Sequence, residues 1–142
     1  MSSAANTHVM IYRQLAMTST PQAINEVEAL MEEIRRDLEV KADAYANIMV
    51  ALTEAVNNAV LHGNKNDASK MVYVEFECPS DFRLLVRVHD EGVGFDPKGL
   101  PDPTAPENLE RIGGRGVFLM RNLADSISFS DDGREVEMLF NI

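Results

Sequence analysis

Three groups of residues have types and spacings that can do chemistry. Glu54 and Asn58 stand four apart, which puts them on one face of a helix. Ile48, Leu52, Ala55, Val56 and Ala59 fall on the opposite side. A carboxylate can take a proton from a hydroxyl, and an amide oxygen can ligate a hard cation such as Mg²⁺. A solvated polar face would show the same spacing. The second group is Asp90-Glu91-Gly92-Val93-Gly94. Asp90 shares the parity of Leu84, Val86 and Val88, so a continuing strand turns its carboxylate to the core side. A buried acid needs a donor, and a purine's exocyclic amine would serve. Gly92 and Gly94 would let backbone approach a flat ring closely. A plain turn after a strand is the rival reading. The third group is Gly113-Gly114-Arg115-Gly116, just before a helix at Val117. Free N–H groups and the positive dipole end at such a start favour phosphate, and a flexible hinge has the same composition.

The elements that must position these residues follow from periodicity and turn chemistry. Residues 8–17 read as an opening strand with Val9 and Ile11 in phase. Thr20-Pro21 starts a helix, Thr as cap and Pro at the first position. Ile24, Val27, Leu30, Met31, Ile34 and Leu38 recur at helical spacing. Asp43 caps a second helix that runs to about His62, and Gly63 to Asp67 end it in a turn. Val72, Val74 and Phe76 alternate, as do Phe82, Leu84, Val86 and Val88, with Pro79-Ser80-Asp81 as the turn. Residues 91–116 hold six of the eight glycines and four of the six prolines and read as a long functional loop. A helix over 117–124 and a hairpin of 127–129 with 135–141 around Asp131-Asp132-Gly133 close the chain. Hairpin-linked strands with separated helices predict an α+β two-layer sandwich: a mixed, mainly antiparallel sheet on about three helices.

Composition narrows the function. A chain of 142 residues suits one domain, read here as 1–142, and 45% hydrophobic with 25% charged residues is ordinary for a packed core. Thirteen basic against 23 acidic residues leave a net charge of −10, which argues against nucleic-acid backbones as partners. The apolar runs fall short of the roughly 18–20 residues that span a bilayer, and no secretory signal is read at the start, so no membrane association is expected. The single cysteine, Cys78, excludes an intrachain disulfide and fits a cytoplasmic setting. His8, His62 and His89 lack metal-ligand spacing. The P-loop pattern is absent, since Leu100 follows Gly94 and Gly99 where Lys is required, and Gly-x-Gly-x-x-Gly is absent too.

The order and spacing of the three groups are together more specific than any one. Thr53-Glu54-Ala55-Val56-Asn57-Asn58-Ala59-Val60-Leu61-His62-Gly63, then Asp90-x-Gly92-x-Gly94, then Gly114-x-Gly116 opening a helix, resembles the ATPase superfamily of gyrase, heat-shock chaperone, histidine kinase and MutL. Within it the chain is most similar to the bacterial anti-sigma-factor serine kinases. These share the Glu-Ala-Val-x-Asn-Ala stretch and a Gly-x-Gly-x-x-x-Met element, here Gly114 to Met120. No helical hairpin with a phosphoacceptor histidine precedes the domain, so a complete histidine kinase is not expected.

The resemblance implies a Bergerat-type ATP-binding fold and assigns roles. Glu54 would be the general base towards a substrate serine, and Asn58 the Mg²⁺ ligand. Asp90 would read adenine over a floor shaped by Gly92 and Gly94. Gly114 and Gly116 would offer backbone donors to the phosphates of ATP, with Arg115 near the terminal phosphate. Residues 96–112 would form the lid. One departure is Gly133-Arg134, where the family often reads Gly-Thr near adenine, which leaves Asp90 less help in holding the ring. The implied function is an ATP-dependent serine kinase that binds a sigma-type transcription factor and phosphorylates a STAS-type anti-anti-sigma protein, commonly as a homodimer. Its rivals are a nucleotide-gated binding module without kinase activity, and a simple ATP hydrolase in which Glu54 activates water.

Overall fold

A computed structural model describes residues 11–80, 82–93 and 114–142, with the side chains of 114 and 115 excepted. The expectations for residues 8–10, Asp81, Gly94, the 96–112 lid, Gly113 and the Arg115 side chain therefore lie outside the described residues.

Alternation of apolar and polar residues makes the strands, and their parity decides which face is buried. β1 is Tyr12–Thr18, β2 Met71–Ser80, β3 Arg83–Asp90, β4 Ser126–Ser130 and β5 Glu135–Asn141. They form one sheet in the order β1-β2-β3-β5-β4, and each neighbouring pair is antiparallel. Val72, Val74, Phe76, Leu84, Val86, Val88, Met138 and Phe140 share the buried face. Burying each such side chain stabilises the fold by about 1.5–3 kcal/mol. The opposite face carries Tyr73, Glu75, Glu77, Arg87, His89 and Glu137, all half-buried. There Arg87 spans three strands, donating to Glu137 at 2.8 Å and Glu77 at 3.2 Å.

Among the described residues, three helices cover the buried face. α1 (Ala23–Leu38) turns Val27, Met31 and Ile34 inward, and α2 (Ala42–Asn58) turns Ile48, Ala51, Leu52, Ala55 and Val56 inward. α3 (Gly114–Leu123) packs against α2 and adds Val117 and Met120 to the core. Among the described residues the result is the expected α+β arrangement of one sheet on three helices, but the sheet is antiparallel throughout rather than mixed, because each strand pairs only with oppositely directed neighbours.

Several boundaries differ from the sequence reading. The helix expected at Thr20-Pro21 starts at Ala23, because Thr20 O accepts from Ala23 N at 3.0 Å and closes a separate turn first. Asp43 is not the cap of α2 but sits in its first turn, where its Oδ1 accepts from Ala44 N at 3.0 Å. α2 stops at Asn58 rather than His62, and Ala59–Gly63 continue as a wider π-helical turn. Phe82 does not share the face of Leu84: it is left-handed at φ 66° and 75% exposed, because β2 runs on to Ser80 and the chain reverses at Phe82 itself. α3 begins three residues earlier than expected and takes Gly114 to Gly116 into its first turn.

Candidate functional site

Helical spacing brings the first group together as the sequence required. Glu54 and Asn58 lie on the same side of α2, both half-buried, away from its core stripe. The first turn of α3 comes down on them. A Cβ at Gly116 would stand 2.8 Å from Asn58 Nδ2, 3.1 Å from Glu54 Oε2 and 3.2 Å from Asn58 Oδ1. Any side chain at this position would have to push the ends of Asn58 and Glu54 aside, so the glycine keeps the approach close. A carboxylate, an amide and the N–H groups of a helix start, which have no intrahelical acceptor, therefore share one small space. Glu54 also lines an open cavity of about 500 Å³ with Glu28, Tyr45, Met49, Val50 and Thr53.

The second group sits where the sheet ends. Asp90 is the last residue of β3 and pairs with Val72, so its side chain points to the core face and is buried. Its Oδ1 accepts from Gly92 N at 2.8 Å, which turns the chain sharply after the strand. Burial pushes the Asp90 carboxyl above its ordinary 3.8; the Gly92 N–H and the charges of His89 and Arg134 pull it partly back. The π-helical turn supplies the opposite wall. A Cβ on Gly63 would overlap the Asp90 carboxylate, and one on Gly92 would overlap Gly63 O. The wide turn and two glycines are what let helix and strand end meet here.

Sequence reasoning missed the residues that hold this corner. Asn64 is fully buried. Its Nδ2 donates to Ser19 Oγ at 2.7 Å and Met71 O at 2.9 Å, and its Oδ1 accepts from Glu91 N at 2.8 Å. It thus ties the end of β1, the start of β2 and the residue after Asp90 to the π-helical turn. Ser19 Oγ donates its own hydrogen bond to Lys70 O at 2.7 Å, and Glu91 Oε1 accepts from Met71 N at 2.6 Å. A fully bonded buried network of this kind fixes a single geometry. Asn64 lies in a Gly-Asn-Lys-Asn-Asp run, which reads as ordinary turn chemistry. Gly63 was legible within its motif but not as the wall of Asp90. At Arg134 the sequence marked a loss of help; the structure has its Nε donating to Gly92 O at 2.8 Å and its backbone O accepting from Asp90 N at 3.0 Å.

The donor set fits a nucleotide with a hard cation. Among the described residues no three His, Cys, Asp or Glu side chains converge as a metal cage. A Mg²⁺ ion needs none, because it takes one or two protein oxygens and fills the rest with phosphate and water.

A family model described as the histidine kinase-like ATPase domain matches residues 17–140. The chain belongs to the histidine kinase-like ATPase family. All the site residues named above fall inside the matched span. Among curated proteins the chain is 34% identical over 103 residues to the serine-protein kinase RsbW of Listeria innocua. That match covers 68% of this chain and 65% of the relative, so the chain spans just under two thirds of that relative's length. It is 30% identical over 135 residues to the serine-protein kinase RsbW of Bacillus licheniformis, covering 89% of this chain and 83% of the relative. It is 31% identical over 93 residues to the anti-sigma F factor of Priestia megaterium, covering 63% of each. Among the described residues of this ATPase-family chain, no helix is long and apolar enough to cross a membrane.

Proposed function

We propose that this chain is an ATP-dependent serine protein kinase and an anti-sigma factor. It binds a sigma-type transcription factor and phosphorylates a serine of a small STAS-type antagonist. The observation that carries the reading is the meeting of Glu54, Asn58 and Gly116 at the start of α3. The names of its relatives, serine-protein kinase and anti-sigma F factor, support it.

The division of labour follows from the chemistry of each end. Asp90 accepts a hydrogen bond from the exocyclic amine of adenine with the oxygen that Gly92 leaves free. Gly92 forms the floor under the ring. Gly114 and Gly116 give backbone N–H bonds to the phosphates. Asn58 would hold Mg²⁺, which screens the triphosphate charge, a need sharpened by a net charge of −10. Glu54 takes the proton of the serine hydroxyl as its oxygen bonds to the terminal phosphorus and the bond to the ADP oxygen breaks. The open cavity beside Glu54 gives a hydroxyl-bearing segment room to approach. The protein works as a homodimer, and its setting is the cytoplasm.

The test is a capture experiment. The chain is immobilised with MgADP, partners are collected from the native lysate, and MgATP is added. A small captured protein should gain a phosphoserine, read by mass spectrometry, and dissociate. Capture without any phosphate gain would replace the kinase with a nucleotide-gated binding module. Release of free phosphate with no protein modified would point to a simple hydrolase.

A further inference from the structure

The turn between β4 and β5 holds side chains in a backbone region they disfavour. Asp131 and Asp132 are left-handed, at φ 52° and 56°, and Gly133 follows at φ 85°. Aspartate enters this region more readily than most side chains, and here neighbouring groups fix it there. Arg134 is the holder. Its backbone N–H and its Nη1 both donate to Asp131 O at 3.0 Å, and Nη1 lies 3.4 Å from Asp131 Oδ1 and 3.5 Å from Asp132 Oδ2. His89 Nε2 grips the other side of the turn, 2.9 Å from Asp131 Oδ2.

Anchored in this way, the guanidinium aims its remaining donors at the residues after Asp90. Nε donates to Gly92 O at 2.8 Å, and Nη2 lies 3.4 Å from Val93 O. The Arg134 backbone O accepts from Asp90 N at 3.0 Å, so one residue grips both flanks of Asp90. A planar fork with donors on two edges can hold two segments at once, which the point charge of a lysine cannot.

We propose that Arg134 is a positioning residue for nucleotide selection: by fixing the carbonyls of Gly92 and Val93, it holds the Asp90 carboxylate in the orientation that accepts from an adenine amine. This rests on the reading of Asp90 as the adenine acceptor and gives a role to the arginine that stands where the family often has threonine. The positive charge also favours the ionised carboxylate against its burial.

The experiment compares full-length wild type, Arg134→Ala and Arg134→Lys by calorimetry with ADP and with IDP, both with Mg²⁺. IDP carries a carbonyl where adenine carries its amine. Wild type should prefer ADP. Arg134→Ala should weaken ADP about 3–10-fold and leave IDP almost unchanged, so the preference falls by the same factor. Arg134→Lys keeps the charge without the two-edged fork, so it should also lose preference for ADP, by a smaller factor, and that loss decides the matter if the alanine variant does not fold. A merely structural role would weaken both nucleotides alike, and that result, or an unchanged preference, overturns the proposal. Wild type that binds ADP no better than IDP would remove the adenine reading of Asp90 itself, and this proposal with it.

Discussion

The two ends of the site are built on opposite plans. At the α2–α3 end, Glu54 and Asn58 come from one helix and are only half-buried beside an open cavity. At the β3 end, Asp90 is buried and held by Gly63, Asn64, Gly92 and Arg134, which come from three separate stretches of chain. The difference matches the work proposed for each. A base that meets a protein hydroxyl must be reachable, whereas a carboxylate that reads one amine must not move. A rigid recognition end beside an open reaction end also lets nucleotide binding and phosphate transfer be changed separately.

That separation can be broken by mutation, and the largest effect belongs to Glu54. Glu54→Ala should slow phosphate transfer about 10²–10⁴-fold. Its ADP affinity, measured by calorimetry, should stay within about threefold of wild type, less than the loss of one charged hydrogen bond. A matched loss of affinity would mean that the two ends are one. Asn64→Ala strikes the rigid end. It strands Ser19, Met71 and Glu91 partners at once and should cost about 2–4 kcal/mol in urea unfolding. Asp90→Ala should weaken ADP about 10–100-fold, for one charge-assisted hydrogen bond of roughly 1.5–3 kcal/mol.

The smallest effect sharpens the comparison through pH. Burial raises Asp90 above its ordinary 3.8, so the folded chain holds this proton more tightly than the unfolded chain. Its contribution therefore favours the fold below that value and is lost as pH rises through the raised one. Asp90→Asn keeps an acceptor for Gly92 N–H and removes the charge. At pH 7 it should melt above wild type while binding ADP more weakly, and the gap in Tm should close as pH falls towards 4. A variant that melts lower at pH 7 would show that the buried charge stabilises the empty fold.

The same contrast governs what the sequence revealed. Glu54 and Asn58 were legible because i, i+4 spacing is a local rule. Asp90 was legible because strand parity is local too, and the Val72 pairing bears out its inward aim. The β2–β3 alternation and the β4–β5 hairpin around Asp131 to Gly133 were readable for the same reason. The support of Asp90 was not. Asn64 works through Ser19, 45 residues away, and Arg134 through Gly92, 42 residues away, and no periodicity links such pairs. The π-helical turn was hidden because Ala59 to Gly63 keep a helical pattern while the backbone widens. Phe82 misled because its parity matches β3 although it belongs to the reversal.

The most direct measurement is the single-turnover rate of phosphate transfer at saturating MgATP, onto the protein captured with MgADP, for wild type, Glu54→Ala and Asp90→Ala. Saturation hides a pure binding defect. The account predicts that Asp90→Ala transfers within a few-fold of wild type while Glu54→Ala is slower by about 10²–10⁴. Equal slowing of the two variants, or a near-normal rate without Glu54, would contradict it.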